Sequence, residues 1–335
     1  INDLEKFDAK KMYKEYDRWP EIAQDSFEKK FEKFDAKDID HIVFAGMGGS
    51  GSIGDTIGSI LSKEDIHVSN VKGYLLPKTV DSKTMVIATS VSGDTAETIQ
   101  ILKNVKKTPA IPVGFSSGQK FETYCKNNEI FFQRIPMNHS PRASFVNFLF
   151  SILNVMEPIL PIKKADINEA ISTLKITRKN ISSENLTDGN RSLELAKFVN
   201  GISCIYYPAG LRAAAVRYKN SLQENAKNHC MVEDVIESSH NGIVPWEKDS
   251  LVKPVLIQGN DDPFNTKLRW KIFEEYFQNR NIEYKIIKSV EGNILSKITN
   301  LIYFLDYSSI YTSIFNKIDP SPVRSIDFIK KKLET

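Results

Sequence analysis

Within residues 41–98, two short apolar runs each give way to a turn of glycines and hydroxyls, and then to a helical pattern. The first run, Ile42-Val43-Phe44-Ala45, leads into Gly46-Met47-Gly48-Gly49-Ser50-Gly51. The second, Met85-Val86-Ile87-Ala88, ends in Thr89-Ser90-Val91-Ser92-Gly93-Asp94-Thr95. Glycine lets a backbone approach a ligand closely, and the first turn of a helix leaves N–H donors unpaired. Those donors and the helix dipole suit an anion. Ser50, Ser90, Ser92 and Thr95 add hydroxyls, so two such strand ends side by side make a cradle for a phosphate ester. A tight turn without a ligand explains the glycines but not the hydroxyls on both turns.

The rest of the chain repeats the alternation of strand and helix, which predicts parallel sheets with helices on both faces. Strands are expected at 41–45, 67–71, 85–89, 110–115 and 130–135, with helices at 52–62, 95–107, 119–127 and 141–156. After a break at Glu157-Pro158, residues 163–198 read as helical, interrupted at 182–190. A second alternation follows, with strands at 203–207, 255–259 and 284–289 and helices at 210–226, 263–279, 294–314 and 323–332. The shared order reads as a duplication of fold. The expected units are a helical extension at 1–40 broken at Trp19-Pro20 and capping the first domain, a first domain at 41–160, and a second at 161–335. The second half has Pro208-Ala209-Gly210-Leu211 and Gly259-Asn260-Asp261-Asp262-Pro263 where the first has its hydroxyl turns. One phosphate site per chain is therefore expected.

The net charge of +3 over 335 residues is small, and lysines alternate with acids, as in Lys29-Lys30-Phe31-Glu32-Lys33. That is a solvated surface rather than a nucleic-acid footprint. The three cysteines, Cys125, Cys204 and Cys230, are far apart and form no metal-ligand spacing. No apolar run approaches the roughly 20 residues of a membrane span. The start does not read as a signal peptide, so a reducing cytoplasm is expected. Gly46, Gly48 and Gly51 fit the dinucleotide spacing G-x-G-x-x-G. However, Glu64 and Asp65 precede the next strand instead of ending it, and Asn70 stands near its end. A nicotinamide cofactor is not expected.

By residue type alone, Glu224 reads as an exposed helix carboxylate and Arg142 as a surface arginine at a helix start. Lys330 reads as part of a frayed helix end, and His240 as a loop histidine in Ser239-His240-Asn241. Together these residues match a family. Pro141-Arg142-Ala143, Gln223-Glu224-Asn225, His240-Asn241 and the ending Asp319-Pro320 … Ile326-Asp327-Phe328-Ile329-Lys330 join the two turns in order. The first half resembles a sugar isomerase (SIS) domain. Over residues 40–332 the chain resembles the bifunctional phosphoglucose/phosphomannose isomerases, within the phosphoglucose isomerase superfamily.

The resemblance implies two SIS-type domains, each a three-layer α-β-α sandwich, with an N-terminal helical extension. It implies an aldose–ketose isomerase of glycolysis and gluconeogenesis that needs no metal or cofactor and interconverts glucose 6-phosphate and mannose 6-phosphate with fructose 6-phosphate. Gly48, Gly49, Ser50, Ser90, Ser92 and Thr95 would bind the phosphate. Glu224 would move a proton between C1 and C2, and Arg142 would steady the enediolate. His240 would open the sugar ring, helped by Lys330, and would reach the site from the other subunit of a homodimer. Ser321 corresponds loosely to a tail hydroxyl linked to mannose. The chain departs from the family at Ser239, where Asn is usual, and at Val91 and Asp94, where an aromatic and an Asn are frequent. Asp94 beside a phosphate is expected to cap the following helix. The rival reading is a sugar-phosphate sensor without catalysis, which would keep the cradle but has no need of Glu224, Arg142 and His240 together. The isomerase half of a glucosamine-6-phosphate synthase would need a glutaminase domain, which residues 1–40 are not expected to supply.

Overall fold

The computed structural model describes residues 2–333. Three short helices come first: α1 (Asn2–Phe7), α2 (Met12–Asp17) and α3 (Trp19–Glu28). The break falls at Arg18, and Pro20 opens α3, where a missing N–H costs nothing. Residues 29–40 run without regular structure. Then come β1 (His41–Ala45), α4 (Gly48–Ile60), β2 (His67–Val71), β3 (Thr84–Ser90), α5 (Ala96–Val105), β4 (Ile111–Ser116), α6 (Gln119–Asn127), β5 (Phe131–Arg134) and α7 (Phe145–Val155). Two helices, α8 (Lys164–Ile181) and α9 (Arg191–Phe198), lead to β6 (Ser203–Tyr207), α10 (Arg212–Ser221), β7 (Cys230–Asp234), α11 (Val235–Ser238), β8 (Lys253–Gln258), α12 (Phe264–Asn279) and β9 (Lys285–Lys288). The chain closes with α13 (Ile294–Phe315) and α14 (Arg324–Leu333).

Both sheets are parallel throughout, in the orders β2-β1-β3-β4-β5 and β7-β6-β8-β9. Strand order reverses beside β1 in the first sheet and beside β6 in the second. Such a reversal opens a crevice at the carboxyl ends of the strands, where open α/β sheets bind ligands. In the first sheet that crevice lies between the two turns singled out in the sequence. Strand β7 escapes a sequence reading because Cys-Met-Val-Glu-Asp does not alternate. It is an edge strand with only Cys230 fully buried.

The core does not divide with the sheets. One hydrophobic cluster runs from Ile42 and Met85 through α7 to Ile205, Ile257 and Ile310. Helix α13 packs against α8, α9 and α10, and α10 packs against α4, so the two halves meet along helices. The N-terminal helices do not cap the first half alone. Trp19 stacks on Phe145 at 6.0 Å and on Tyr303 of α13 at 5.0 Å. The hydroxyl of Tyr303 donates to the carbonyl of Tyr16 at 2.7 Å. The reason is α13 itself: it is buried along almost its whole length, and a 22-residue helix needs cover from both sides.

A buried ion pair sits where the halves meet. Asp306 accepts from Arg217 Nε at 3.0 Å and Nη2 at 2.7 Å, from the Ser221 hydroxyl at 2.6 Å and from the Tyr16 hydroxyl at 3.3 Å. Both charges are fully buried. Asp306→Ala leaves Arg217 uncompensated, and a loss of about 3–5 kcal/mol of unfolding free energy is expected in urea. Asp306→Leu combined with Arg217→Met should recover part of that loss: an apolar pair carries no desolvation penalty, while the Ser221 and Tyr16 hydroxyls and the Arg142 carbonyl lose a partner. A double variant no more stable than Asp306→Ala would remove the electrostatic explanation.

Candidate active site

One hydroxyl ties the two turns of the first sheet to each other, and others brace the second turn internally. Ser50, in the first turn of α4, accepts from the backbone N–H of Val91 at 3.1 Å. Ser90 shares a hydrogen bond with Thr95 at 2.9 Å and accepts from Gly93 N–H at 3.0 Å. Gly93 has φ +79°, and a Cβ there would stand 2.3 Å from Gly118 Cα, so only glycine fits. Gly48 opens α4, and in its first turn the N–H groups of Ser50 and Gly51 bond to the Met47 carbonyl at 3.1 and 3.2 Å.

Asp94 does not cap α5. Thr95 holds the N-cap position with no side-chain cap. The Asp94 carboxylate instead takes the Ser92 hydroxyl and lies 3.8 Å from Lys330 Nζ on α14. The Ser92 hydroxyl and Lys330 both draw on Oδ1, which turns the carboxylate toward the serine turn and α14 instead of the start of α5. Lys330 therefore stands at the serine turn and half-exposed, not against Glu224.

Arg142 is buried, in a turn before α7, which starts at Phe145 rather than at the expected Pro141. The turn is pressed onto the cradle: a Cβ on Gly49 would meet the carbonyl of Pro141 at 3.2 Å and Arg142 Cα at 3.3 Å. Arg142 Nε donates to Asn225 Oδ1 at 2.7 Å, Nη1 reaches Glu224 Oε2 at 3.4 Å, and Nη2 donates to the carbonyls of Pro320 at 2.6 Å and Ser321 at 3.0 Å. Arg217 Nη2 in turn holds the Arg142 carbonyl at 2.8 Å. The guanidinium thus joins three distant segments through its planar fork.

Glu224 is not on the α-helix expected to run to Ala226. Helix α10 ends at Ser221, and Leu222–Ala226 form a π-type turn that stops at Lys227, with φ 60°. Such wider turns concentrate at functional sites because they turn side chains out of the α-helical register. The turn buries Asn225 and leaves the Glu224 side chain 25% exposed, facing a cleft of about 1010 Å³. Gly48, Asn220, Gln223, Lys227 and Asp319 line the same cleft. Lys227 donates to the carbonyl of Pro322 at 2.8 Å. Burial first, and the charge of Arg142 second, lower its ammonium to about 8. Asn225, Lys227 and the 320–322 carbonyls were not identified as site groups from sequence. Only the Gln-Glu-Asn and Asp-Pro runs hinted at them.

His240 is not brought to this cleft within one chain. It lies exposed in the turn after α11, its N–H bonded to the carbonyl of Glu237 at 2.9 Å. Among the described residues, no three His, Cys, Asp or Glu side chains are grouped to hold a metal ion. No described helix is long and apolar enough to cross a membrane.

Two parallel sheets flanked by helices, with a hydroxyl cradle at the first and a carboxylate–guanidinium pair at their junction, define a protein of the SIS class. A family model described as bacterial phospho-glucose isomerase C-terminal SIS domain matches residues 188–333. The C-terminal domain of glucosamine-fructose-6-phosphate aminotransferase from Francisella tularensis superposes with a TM-score of 0.68 at 15% identity, covering 91% of this chain and 96% of that one. A bifunctional phosphoglucose/phosphomannose isomerase from Caldicellulosiruptor bescii is 30% identical over 89% of this chain and 91% of its own length. Another from Thermoplasma volcanium is 30% identical over 91% of this chain and 95% of its own. The chain belongs to the family of bifunctional phosphoglucose/phosphomannose isomerases.

Proposed function

We propose that this chain interconverts glucose 6-phosphate and mannose 6-phosphate with fructose 6-phosphate through a cis-enediolate, without a metal ion. The observation that carries the reading is the Arg142–Glu224 pair at 3.4 Å, from opposite halves of the chain, with Glu224 opening onto the same cleft as Gly48 of the first turn. In this reading the ester sits on Gly48, Gly49, Ser50, Ser90, Ser92 and Thr95, and its binding energy holds the reacting carbons at the far end of the cleft. Glu224 takes a proton from one carbon and returns it to the next. Negative charge then grows on O1 and O2, where the fixed guanidinium of Arg142 stabilises it. Rotation about C2–C3 in the enediolate lets one carboxylate serve both C2 epimers. Ring opening falls to His240 of a second subunit, an imidazole suited to acid–base work near neutrality, with Lys330 at the serine turn beside it. His240's exposure supports a role across an interface, and the working form is then a homodimer.

The same reading divides the chain into an extension at 1–40, a cradle domain at 41–160 and a domain at 161–335 that supplies the carboxylate. Free, buried Cys125, Cys204 and Cys230 support a reducing cytoplasm. Activity is expected on glucose 6-phosphate and on mannose 6-phosphate in a coupled assay for fructose 6-phosphate, undiminished by excess chelator. Loss restored by zinc or magnesium would reject the metal-free route. Binding of both esters without turnover would favour a sensor.

A further inference from the structure

We propose that Asp8, His139 and Ser321 form a relay that fixes the direction of the Ser321 hydroxyl beside the Arg142–Glu224 pair. The N-terminal segment is thereby a working part of the site. The effect on turnover rests on the isomerase reading; the relay itself does not.

Asp8 lies between α1 and α2 and is fully buried. Its Oδ2 accepts from Tyr13 N–H at 2.9 Å, while Oδ1 is buried without a hydrogen-bond partner. His139 stands three residues before Arg142. Its Nδ1 is likewise buried without a partner, and its Nε2 lies 3.5 Å from Ser321 Oγ. The two unpaired atoms are complementary. Burial, the largest influence, and Asp319 raise the Asp8 carboxyl above its ordinary range, against the Tyr13 and Met12 backbone N–H groups and His139, while Asp8 favours a proton on His139. Glu15 also favours that proton, whereas burial, Arg142 and Lys10 oppose it, and burial is the largest influence. The imidazole is accordingly held below its usual range and is neutral near pH 8.

A neutral imidazole has one N–H donor and one acceptor nitrogen. With the proton on Nε2, the Nδ1 lone pair and the Asp8 Oδ1 lone pairs would both stay buried with no donor between them. That arrangement is costly. With the proton on Nδ1, Asp8 Oδ1 gains a donor through one bridging water, since no direct bond joins the two atoms. Nε2 then accepts the Ser321 O–H. The backbone of Ser321 is already held at both ends: its N–H donates to Asp319 Oδ1 at 2.8 Å and its carbonyl accepts from Arg142 at 3.0 Å. The hydroxyl is the remaining degree of freedom, and His139 turns its lone pairs away from itself. His139 is a positioning residue here, and no proton leaves the relay.

Nitrogen-15 NMR of the full chain labelled at histidine, recorded near pH 8, reads the tautomer directly. The His139 signals, assigned by their loss in His139→Gln, should show protonated Nδ1 and bare Nε2. In Asp8→Ala they should shift toward the Nε2–H form that free imidazole prefers. Nε2–H in the unmodified protein, or no response to Asp8→Ala, would overturn the relay. In kinetics, His139→Ala and Ser321→Ala should each lower kcat about tenfold, the worth of one hydrogen bond. The double variant should be no slower than either single one, and His139→Gln, which keeps a polar atom near the Nε2 position, should recover most of the rate. Multiplying losses would reject the coupling. A chain with no isomerase activity at all would count against the proposed function, while the tautomer would still decide the relay.

Discussion

Replacing Glu224 by Gln is expected to lower turnover at least about a hundredfold, the low end of what loss of a general base costs. The substitution changes little else. Gln keeps the length of the side chain and an oxygen that can accept from Arg142 Nη1, now at 3.4 Å. The backbone of the π-type turn is anchored by its neighbour Asn225, which accepts from Arg142 and donates to the Ser309 hydroxyl at 2.8 Å. Affinity for a 6-phosphate ester should therefore hold, since the proposed phosphate cradle lies in the other half of the chain. The split is measurable as kcat in the coupled assay against the dissociation constant of a non-reacting sugar phosphate by calorimetry. A variant that keeps more than about one hundredth of the rate would remove Glu224 as the base.

Arg142→Ala is expected to fail twice. Loss of a fixed cation at a developing oxyanion typically costs about 10²–10³ in rate. The same change strips the carbonyls of Pro320 and Ser321 and the Asn225 side chain of a common donor. Each buried acceptor left unmet costs about 1–3 kcal/mol. Both kcat/KM and the urea midpoint should fall. Arg142→Lys separates the two effects, because an ammonium keeps the charge but cannot reach four partners through a planar fork. It should recover part of the rate and little of the stability. Full rate in Arg142→Lys would mean that charge alone matters, and full rate in Arg142→Ala would remove the residue from the chemistry.

The two strand-end turns of the first sheet were legible in the sequence because their determinants are mostly local. Gly48, Gly93, Ser90, Ser92 and Thr95 act within a strand end and the turn after it, where backbone conformation follows residue type, and only Ser50 reaches across to the other turn. The alternation of apolar runs gave both parallel sheets apart from β7, whose pattern was lost at an exposed edge. The junction was harder to see. Arg142 meets Asn225 and Pro320, 83 and 178 residues away, so only the family motifs put these residues near one another. The end of α10 at Ser221 has no residue that marks it. Asp94 was expected at a helix cap, and Lys330 and Ser92 engage it instead. The N-terminal helices looked like a cover for one domain because the demand they meet comes from α13, far along the chain. Asp8 and His139 have no distinctive sequence setting, because burial, not residue type, makes them unusual.

A crystal structure with a five-carbon phosphosugar acid, whose carboxylate mimics the enediolate oxygens, decides the matter most directly. The phosphate should lie among Gly48, Ser50 and Ser92, with Glu224 about 3–3.5 Å from the carbon standing for C2 and Arg142 on its oxygens. A phosphate held elsewhere, or a Glu224 carboxylate turned away from those carbons, would contradict it.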